Sequence, residues 1–224
     1  MSPVARDPAR RRESKLDPAE LSFFADLQRM IRPSSSNHSN KLRLIAGVDA
    51  SYIEEEKKVL AVAVTFSFDE TILEISKYFG KFTFPYVPGL FYLHEGPFVV
   101  AAVKLLKKKP DLICFDAHGR AHPRRLGMAS LCGKMLDIPS VGIAKSKLFG
   151  SEAAYKEGLW RIFHLKETLG FVTRGLGGVG AKRFWSPGHS VSILELEKII
   201  HERGSLCIRA IDEAHKISLE IHNN

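Results

Sequence analysis

The chain has 224 residues, 45% of them hydrophobic, enough to bury one sizeable core, and its formal net charge of +8 draws it toward phosphate-rich partners, nucleic acid first. Its three cysteines, Cys114, Cys132 and Cys207, include no C-x-x-C pair, so a disulfide framework and a thiolate zinc site are excluded and a reducing cytoplasm is expected. The longest apolar runs, such as PFVVAAVKLL, are too short to span a bilayer and the N-terminus lacks the apolar stretch of a signal peptide, so no membrane partner is expected.

In chain order, residues 1–15 read as a disordered basic tail, solvated rather than laid along phosphate, and residues 16–224 as a single domain. LDPAELSFFADLQRMIRP predicts a helix capped by Asp17, with Pro18 in its first turn, Leu21, Phe24, Leu27 and Ile31 on one face, and a stop at Pro33. KLRLIAGVDASY is apolar enough for a strand buried on both faces and ends near Asp49; VLAVAVTFSF and TILEISKYFGKF follow as two strands in meander order, turning near Asp69. TFPYVPG, with two prolines and a glycine around Tyr86, is a loop. A helix is predicted from about Glu95, with Pro97 in its first turn, as far as Pro110. LICFD is a short strand ending on Asp116, RLGMASLCGKMLD a helix, and PSVGIAKS a strand ending near Lys145. LWRIFHL and GFVTRG pair as a hairpin, Ser190 is a candidate cap for a helix carrying Ile193, Leu196 and Ile200, and IRAIDEAHKISLEI is a separate last helix. Three antiparallel strands followed by helix, strand, helix, strand imply an α/β fold, a mixed sheet with helices on its faces.

In open sheets with parallel strands, binding sites form at the carboxyl ends of the strands. Asp49 and Asp116 both stand there. One strand-end carboxylate is more often a turn-former; two, with Glu95 opening a helix, point to a cluster that needs a cation to hold it. Hard oxygen ligands select Mg²⁺ or Mn²⁺, and such an ion neutralises a phosphoryl group and helps to make hydroxide from bound water. Lys145, at the next strand end, adds a cation beside the phosphate, although alone it would read as a surface lysine.

Five blocks, IAGVDASY, PYVPGLFYLHEGP, DAHGRAHPRRLGMAS, SVGIAKSKL and SPGH, resemble in order and spacing the motifs of the endonuclease V family, deaminated-base nucleases with a ribonuclease H-like fold. The resemblance covers about Leu42 to His189. It implies that Asp49 and Asp116 ligate Mg²⁺, for which Mn²⁺ can substitute, that Glu95 completes the acidic set, that Lys145 assists at the scissile phosphate and that His122 lies in the active site. Pro85, Tyr86, Val87 and Pro88 resemble the family's wedge, with Tyr86 pressed into the duplex; Gly89, Ala117, His118 and Gly119 resemble the pocket for the extruded base. Extracting a base costs a few kcal/mol, and an inserted ring offsets part of that. In the last helix the family places a histidine or an aspartate near the metal. Asp212 and His215 both qualify, and EAHKIS matches better with His215.

The implied activity is that of a deoxyribonuclease V, a DNA-repair endonuclease that recognises deoxyinosine and cuts one nucleotide 3′ of it, leaving 5′-phosphate ends, with inosine in RNA as a further substrate. A monomeric cytoplasmic enzyme is expected. Two departures bear on the pocket. Ala117 stands where the family has glycine, and its methyl would narrow the pocket or shift the loop; Phe91 stands where a smaller aliphatic residue is common. Two rivals share these features: a ribonuclease H-like nuclease for hybrids or branched DNA, and a nucleic-acid-binding protein without catalysis. His118 and His122 lie on a loop without H-E-x-x-H, which argues against zinc, and GLGGVGAKR lacks a P-loop ending. Trp160 and Trp185 read as packing residues rather than base platforms.

Overall fold

The structure, a computed structural model, describes residues 42–82, 91–176 and 181–223, and residues 19, 22, 23, 26 and 30, which are helical. The tail, the apolar face predicted for the first helix and the PYVPG wedge (Pro85, Tyr86, Val87, Pro88, Gly89) lie outside the described residues.

Nine strands form one sheet. The meander is β1 (Leu44–Ile53), β2 (Lys58–Ser67) and β3 (Ile72–Lys81); β4 (Leu112–Phe115) and β5 (Ser140–Ala144) follow, then β6 (Ser151–Lys156), β7 (Leu159–His164), β8 (Glu167–Arg174) and β9 (Lys182–Pro187). The spatial order is β3-β2-β1-β4-β5-β9-β8-β7-β6. Only β1–β4 and β4–β5 pair in parallel; every other neighbour is antiparallel. Helix α1 (Phe91–Lys104) carries the chain from the end of the meander at β3 back to β4 beside β1, and α2 (Met128–Leu136) joins β4 to its parallel neighbour β5, as parallel pairing requires.

Both faces of the central strands are covered. Ile45, Cys114 and Ile143 pack against Leu206, Cys207 and Ile211 of α3 (Ile193–Ser218), whereas Ala46, Val48, Ile113 and Phe115 pack against Val99 and Val103 of α1 and Ala129 and Cys132 of α2. This accounts for the unbroken apolar runs of β1, β2 and β4: a strand buried on both faces has no polar side to show. Gly47 fixes how closely α3 approaches. A Cβ at this position would lie 2.1 Å from the carbonyl carbon of Ala210, so β1 and α3 touch backbone to backbone.

Five sequence expectations are corrected. Strand β1 does not end near Asp49 but runs on to Ile53, because its antiparallel pairing with β2 continues after the parallel pairing with β4 stops at Val48. Helix α1 begins at Phe91, not near Glu95, so Pro97 lies inside it, at an exposed position where the missing N–H costs least. The two C-terminal helices are one helix of 26 residues that runs through Gly204, because its apolar stripe against the sheet continues past the glycine. Its cap is Ser192, whose hydroxyl accepts from Glu195 N–H while the Glu195 carboxylate accepts from Ser192 N–H; Ser190, at φ 51°, has left-handed backbone unsuited to a cap. Strands β6 and β9 were not anticipated. Lys182–Pro187 pairs with both β5 and β8 and so welds the second hairpin to the parallel core.

Candidate active site

Side chains alternate across a strand, so the core residues show where the strand-end groups point. Cys114 and Ile143 face α3; Asp116 and Lys145, two residues on, leave the ends of β4 and β5 on that same side. Asp49 follows Gly47 on β1, again toward α3. Since Val48 pairs with Phe115, Asp49 and Asp116 stand one register step beyond the last pair of neighbouring parallel strands. Two carboxylates and a lysine thus converge under one helix, Asp116 and Lys145 just past the ends of β4 and β5 and Asp49 within β1 where its pairing with β4 stops.

Each carboxylate already has a cationic or donor partner. Asp49, 8% exposed, accepts from the Ser218 hydroxyl at 2.8 Å and from His215 Nδ1 at 2.9 Å. The bond to Asp49 raises the His215 pKa above its ordinary value, against a smaller opposing effect of burial. Asp116 forms an ion pair with Lys145 Nζ at 2.6 Å. His215 also feels the charges of Lys145 and Asp116, so the four groups form one electrostatic unit. Asp212, one helical turn before His215, lies 3.8 Å from Arg183 and lines a cleft with Asp116, Lys145 and Arg183. Both acidic-site candidates of the last helix therefore face the site, His215 on Asp49 and Asp212 on the Asp116 side.

Glu95 comes from the other face. It is buried on α1 near Tyr52, the β1 residue that points away from Ser51 and Ser218. Burial first, then the charge of Glu95, then that of Asp49, push the Tyr52 phenol far above its ordinary pKa, so the two carboxylates flank the end of β1. Tyr52 stacks on His94 with centroids 4.8 Å apart, and Phe82 closes the group at 4.6 Å from His94. Among the described residues no three His, Cys, Asp or Glu side chains are gathered so as to hold a metal ion. The donors that are present nevertheless suit a hard divalent cation: two carboxylates on adjacent strands, with oxygens now committed to protonated nitrogens and a hydroxyl that a cation could replace.

The loop following β4 packs over β5 on the α2 side. A Cβ on Gly142 would come within 2.4 Å of Ala117 O, and one on Gly119 within 2.1 Å of Pro187 O, so the loop lies flat on the sheet. Gly119 N–H donates to Ser186 Oγ and Arg120 N–H to Pro187 O. The Ala117 methyl is buried with Phe115 and Leu126 in the core under α1 and α2, which is how the chain accommodates a side chain at this point. His118 Nε2 donates to Ser146 O at 3.0 Å, and burial lowers its pKa. His122, 7% exposed, accepts Arg124 N–H on Nδ1; burial, helped by the nearby Arg124, lowers its pKa to about 4, so it is neutral at physiological pH. Trp185 is fully buried and donates to Thr173 Oγ1, as its packing reading requires. His189 of SPGH approaches Asp137 and Ser190 through the same Nε2, an arrangement that pins the loop but is no catalytic relay. The sequence reading missed Tyr52, Ser51 and Ser218; the period-2 pattern around Asp49 and the Ser three residues past His215 were the signals available.

A mixed sheet with a parallel centre and helices on both faces is a ribonuclease H-like fold, and this one gathers two acids and a lysine on one face. The endonuclease V family profile matches residues 25–204. An endonuclease V of Dictyoglomus thermophilum is 41% identical over 163 residues, 71% of this chain and 70% of that one; another, from Trichormus variabilis, is 38% identical over 156 residues, 68% and 70% of the two chains. The chain belongs to the endonuclease V family. Its fold is similar to that of the Bacillus subtilis endonuclease V, with a TM-score of 0.82 at 22% identity over 94% of each chain. It is also similar to the Ciona intestinalis endonuclease V in complex with a 24mer DNA containing an inosine followed by a ribo-adenosine, with a TM-score of 0.79 at 22% identity over 92% of this chain and 97% of that one.

Proposed function

We propose that the chain is a Mg²⁺-dependent DNA-repair endonuclease that recognises deoxyinosine and hydrolyses the phosphodiester one nucleotide 3′ of the lesion, leaving a 5′-phosphate. The observation that carries this reading is the placing of Asp49, Asp116 and Lys145 on one face where the parallel pairing of β1, β4 and β5 stops, with His215 bonded to Asp49. Asp49 and Asp116 are the residues that would hold Mg²⁺, with Glu95 approaching from across β1. Bound there, the ion would supply charge neutralisation at the phosphate and a more acidic water. Lys145 Nζ, nearly half exposed, is placed to leave Asp116 for a phosphate oxygen. His215 holds a proton on Nδ1 toward Asp49, and Ser218 fixes the same carboxylate from below, so Asp49 has one orientation. Cys114, Cys132 and Cys207 are all buried, which favours direct attack by water over a thiolate nucleophile.

The Ciona complex, a DNA containing an inosine followed by a ribo-adenosine, supports an inosine-containing strand as the ligand class, and inosine in RNA is proposed as a second substrate from the family resemblance. Pro85 to Gly89 as the wedge and Ala117, His118 and Gly119 as the base pocket follow the family motif. The test is single-turnover incision of three duplexes: one with a single deoxyinosine, the same without it, and the RNA counterpart. A clear preference for either inosine duplex supports the reading; equal cutting of all three contradicts it.

A further inference from the structure

Glu167 opens β8 just after the turn that follows β7, and the reading above gives it no task. One oxygen of its carboxylate accepts from Arg120 Nη2 at 2.8 Å and the other from Arg125 Nε at 2.8 Å, across sequence separations of 47 and 42 residues. Both arginines belong to the loop that carries His118 and His122, and they bracket His122. Arg125 is doubly committed: its Nη1 donates to His122 O at 3.3 Å, and its guanidinium lies 5.0 Å from the Phe149 ring centroid. Its backbone is left-handed, at φ 58°, a conformation a non-glycine residue keeps only when its surroundings hold it. A carboxylate gripping two guanidiniums is geometrically specific and strong for a surface pair. In a chain of net charge +8 meant for a polyanion, two arginines beside the site would be expected to reach for phosphate. Here both are committed to Glu167.

We propose that Glu167 is a specificity-determining positioning residue: it clamps the 116–127 loop through Arg120 and Arg125, holding the loop in shape to read a base and keeping two cations off the nucleic-acid backbone. The proposal rests on the endonuclease reading for its substrate, but its electrostatic half can be tested without it. Released arginines add phosphate contacts, each steepening the dependence of log affinity on log salt by about 0.9.

The experiment compares wild type, Glu167→Gln and Glu167→Gln with Arg120→Gln and Arg125→Gln. For each, affinity for an undamaged duplex is measured across a salt series, with incision of the deoxyinosine duplex and the thermal midpoint alongside. Glu167→Gln is expected to bind undamaged duplex at least fivefold more tightly at low salt, with a steeper slope, and to lose about tenfold in preference for the lesion. The triple variant is expected to lose the extra binding without regaining the preference. A lowered thermal midpoint with unchanged salt slope and unchanged preference would overturn the proposal and leave a structural clamp. If wild type shows no preference for inosine, the parent reading fails, while the salt slopes still decide whether Glu167 restrains the arginines. Should Glu167→Gln not fold, Arg120→Gln with Arg125→Gln alone replaces it: loss of preference with no change in slope supports the clamp, and retained preference overturns it.

Discussion

At the level of single residues, Asp49 and Asp116 do different work because their partners differ. Asp49 is buried and fixed by a hydroxyl and an imidazole; Asp116 is held by a half-exposed lysine. Asp116→Asn keeps the shape but removes the charge, and is expected to lower single-turnover incision by at least about a hundredfold while leaving lesion binding within a few-fold; near-normal turnover would contradict the ligand role. The histidines make opposite pH statements. His122 has its pKa lowered to about 4 from an ordinary 6.5, so its contribution to stability is full above pH 6.5 and is lost as pH falls toward 4, up to about 3 kcal/mol. A thermal melt series from pH 7 to 4 is expected to fall more steeply for wild type than for His122→Asn; identical slopes would refute the burial argument. His215, raised by Asp49, stabilises below pH 6.5 and stops doing so as pH rises through its folded value, an effect reduced by its partial exposure. Asp116 and Lys145 were legible in the sequence because apolar strands end on them; Asp49 was legible as the acid that interrupts an apolar run, although its strand continues to Ile53. Tyr52 and Ser218 were only faintly marked, by the period-2 pattern around Asp49 and by a serine three residues past His215, and it takes the fold to turn them toward Glu95 and Asp49.

At the level of elements, α3 decides whether the site exists. It carries His215, Asp212 and Ser218 to the strand ends, and its depth is set where Gly47 meets Ala210. Gly47→Ala would force a methyl into backbone and is expected to cost about 2 kcal/mol or more, seen as a lower denaturation midpoint. Incision should fall further than the loss of folded protein explains, because the helix is pushed from Asp49; a fall limited to stability would show that helix depth does not matter to the chemistry. The meander, β4 and β5 were readable from apolar periodicity and turn residues. Strand β6 was not, because SEAAYK is exposed at the sheet edge and has no apolar face to announce it. Nor was the unity of α3: Gly204 looks like a stop in one dimension, yet Leu206, Cys207 and Ile211 continue the buried stripe of Ile199 and Ile200.

For the whole molecule, sheet order does what no local pattern could announce. Strands β1, β4 and β5 lie side by side only because two crossovers return the chain in parallel, and this brings residues 49, 116 and 145 to one edge of one face. The net charge of +8 then acts over the whole surface, so binding to any duplex is expected to weaken steeply between 50 and 200 mM salt, as filter-binding or anisotropy would register. Chelation separates charge from chemistry: EDTA should leave salt-dependent binding largely intact and stop incision. The most direct test of the site is to map the nick on an end-labelled duplex bearing one deoxyinosine, with Mg²⁺ and with EDTA, for wild type and for Asp49→Ala with Asp116→Ala. A Mg²⁺-dependent nick one nucleotide 3′ of the inosine, absent from the double variant, is the expected result. Incision that survives EDTA or the loss of both aspartates would contradict the assignment of the chemistry to these strand ends.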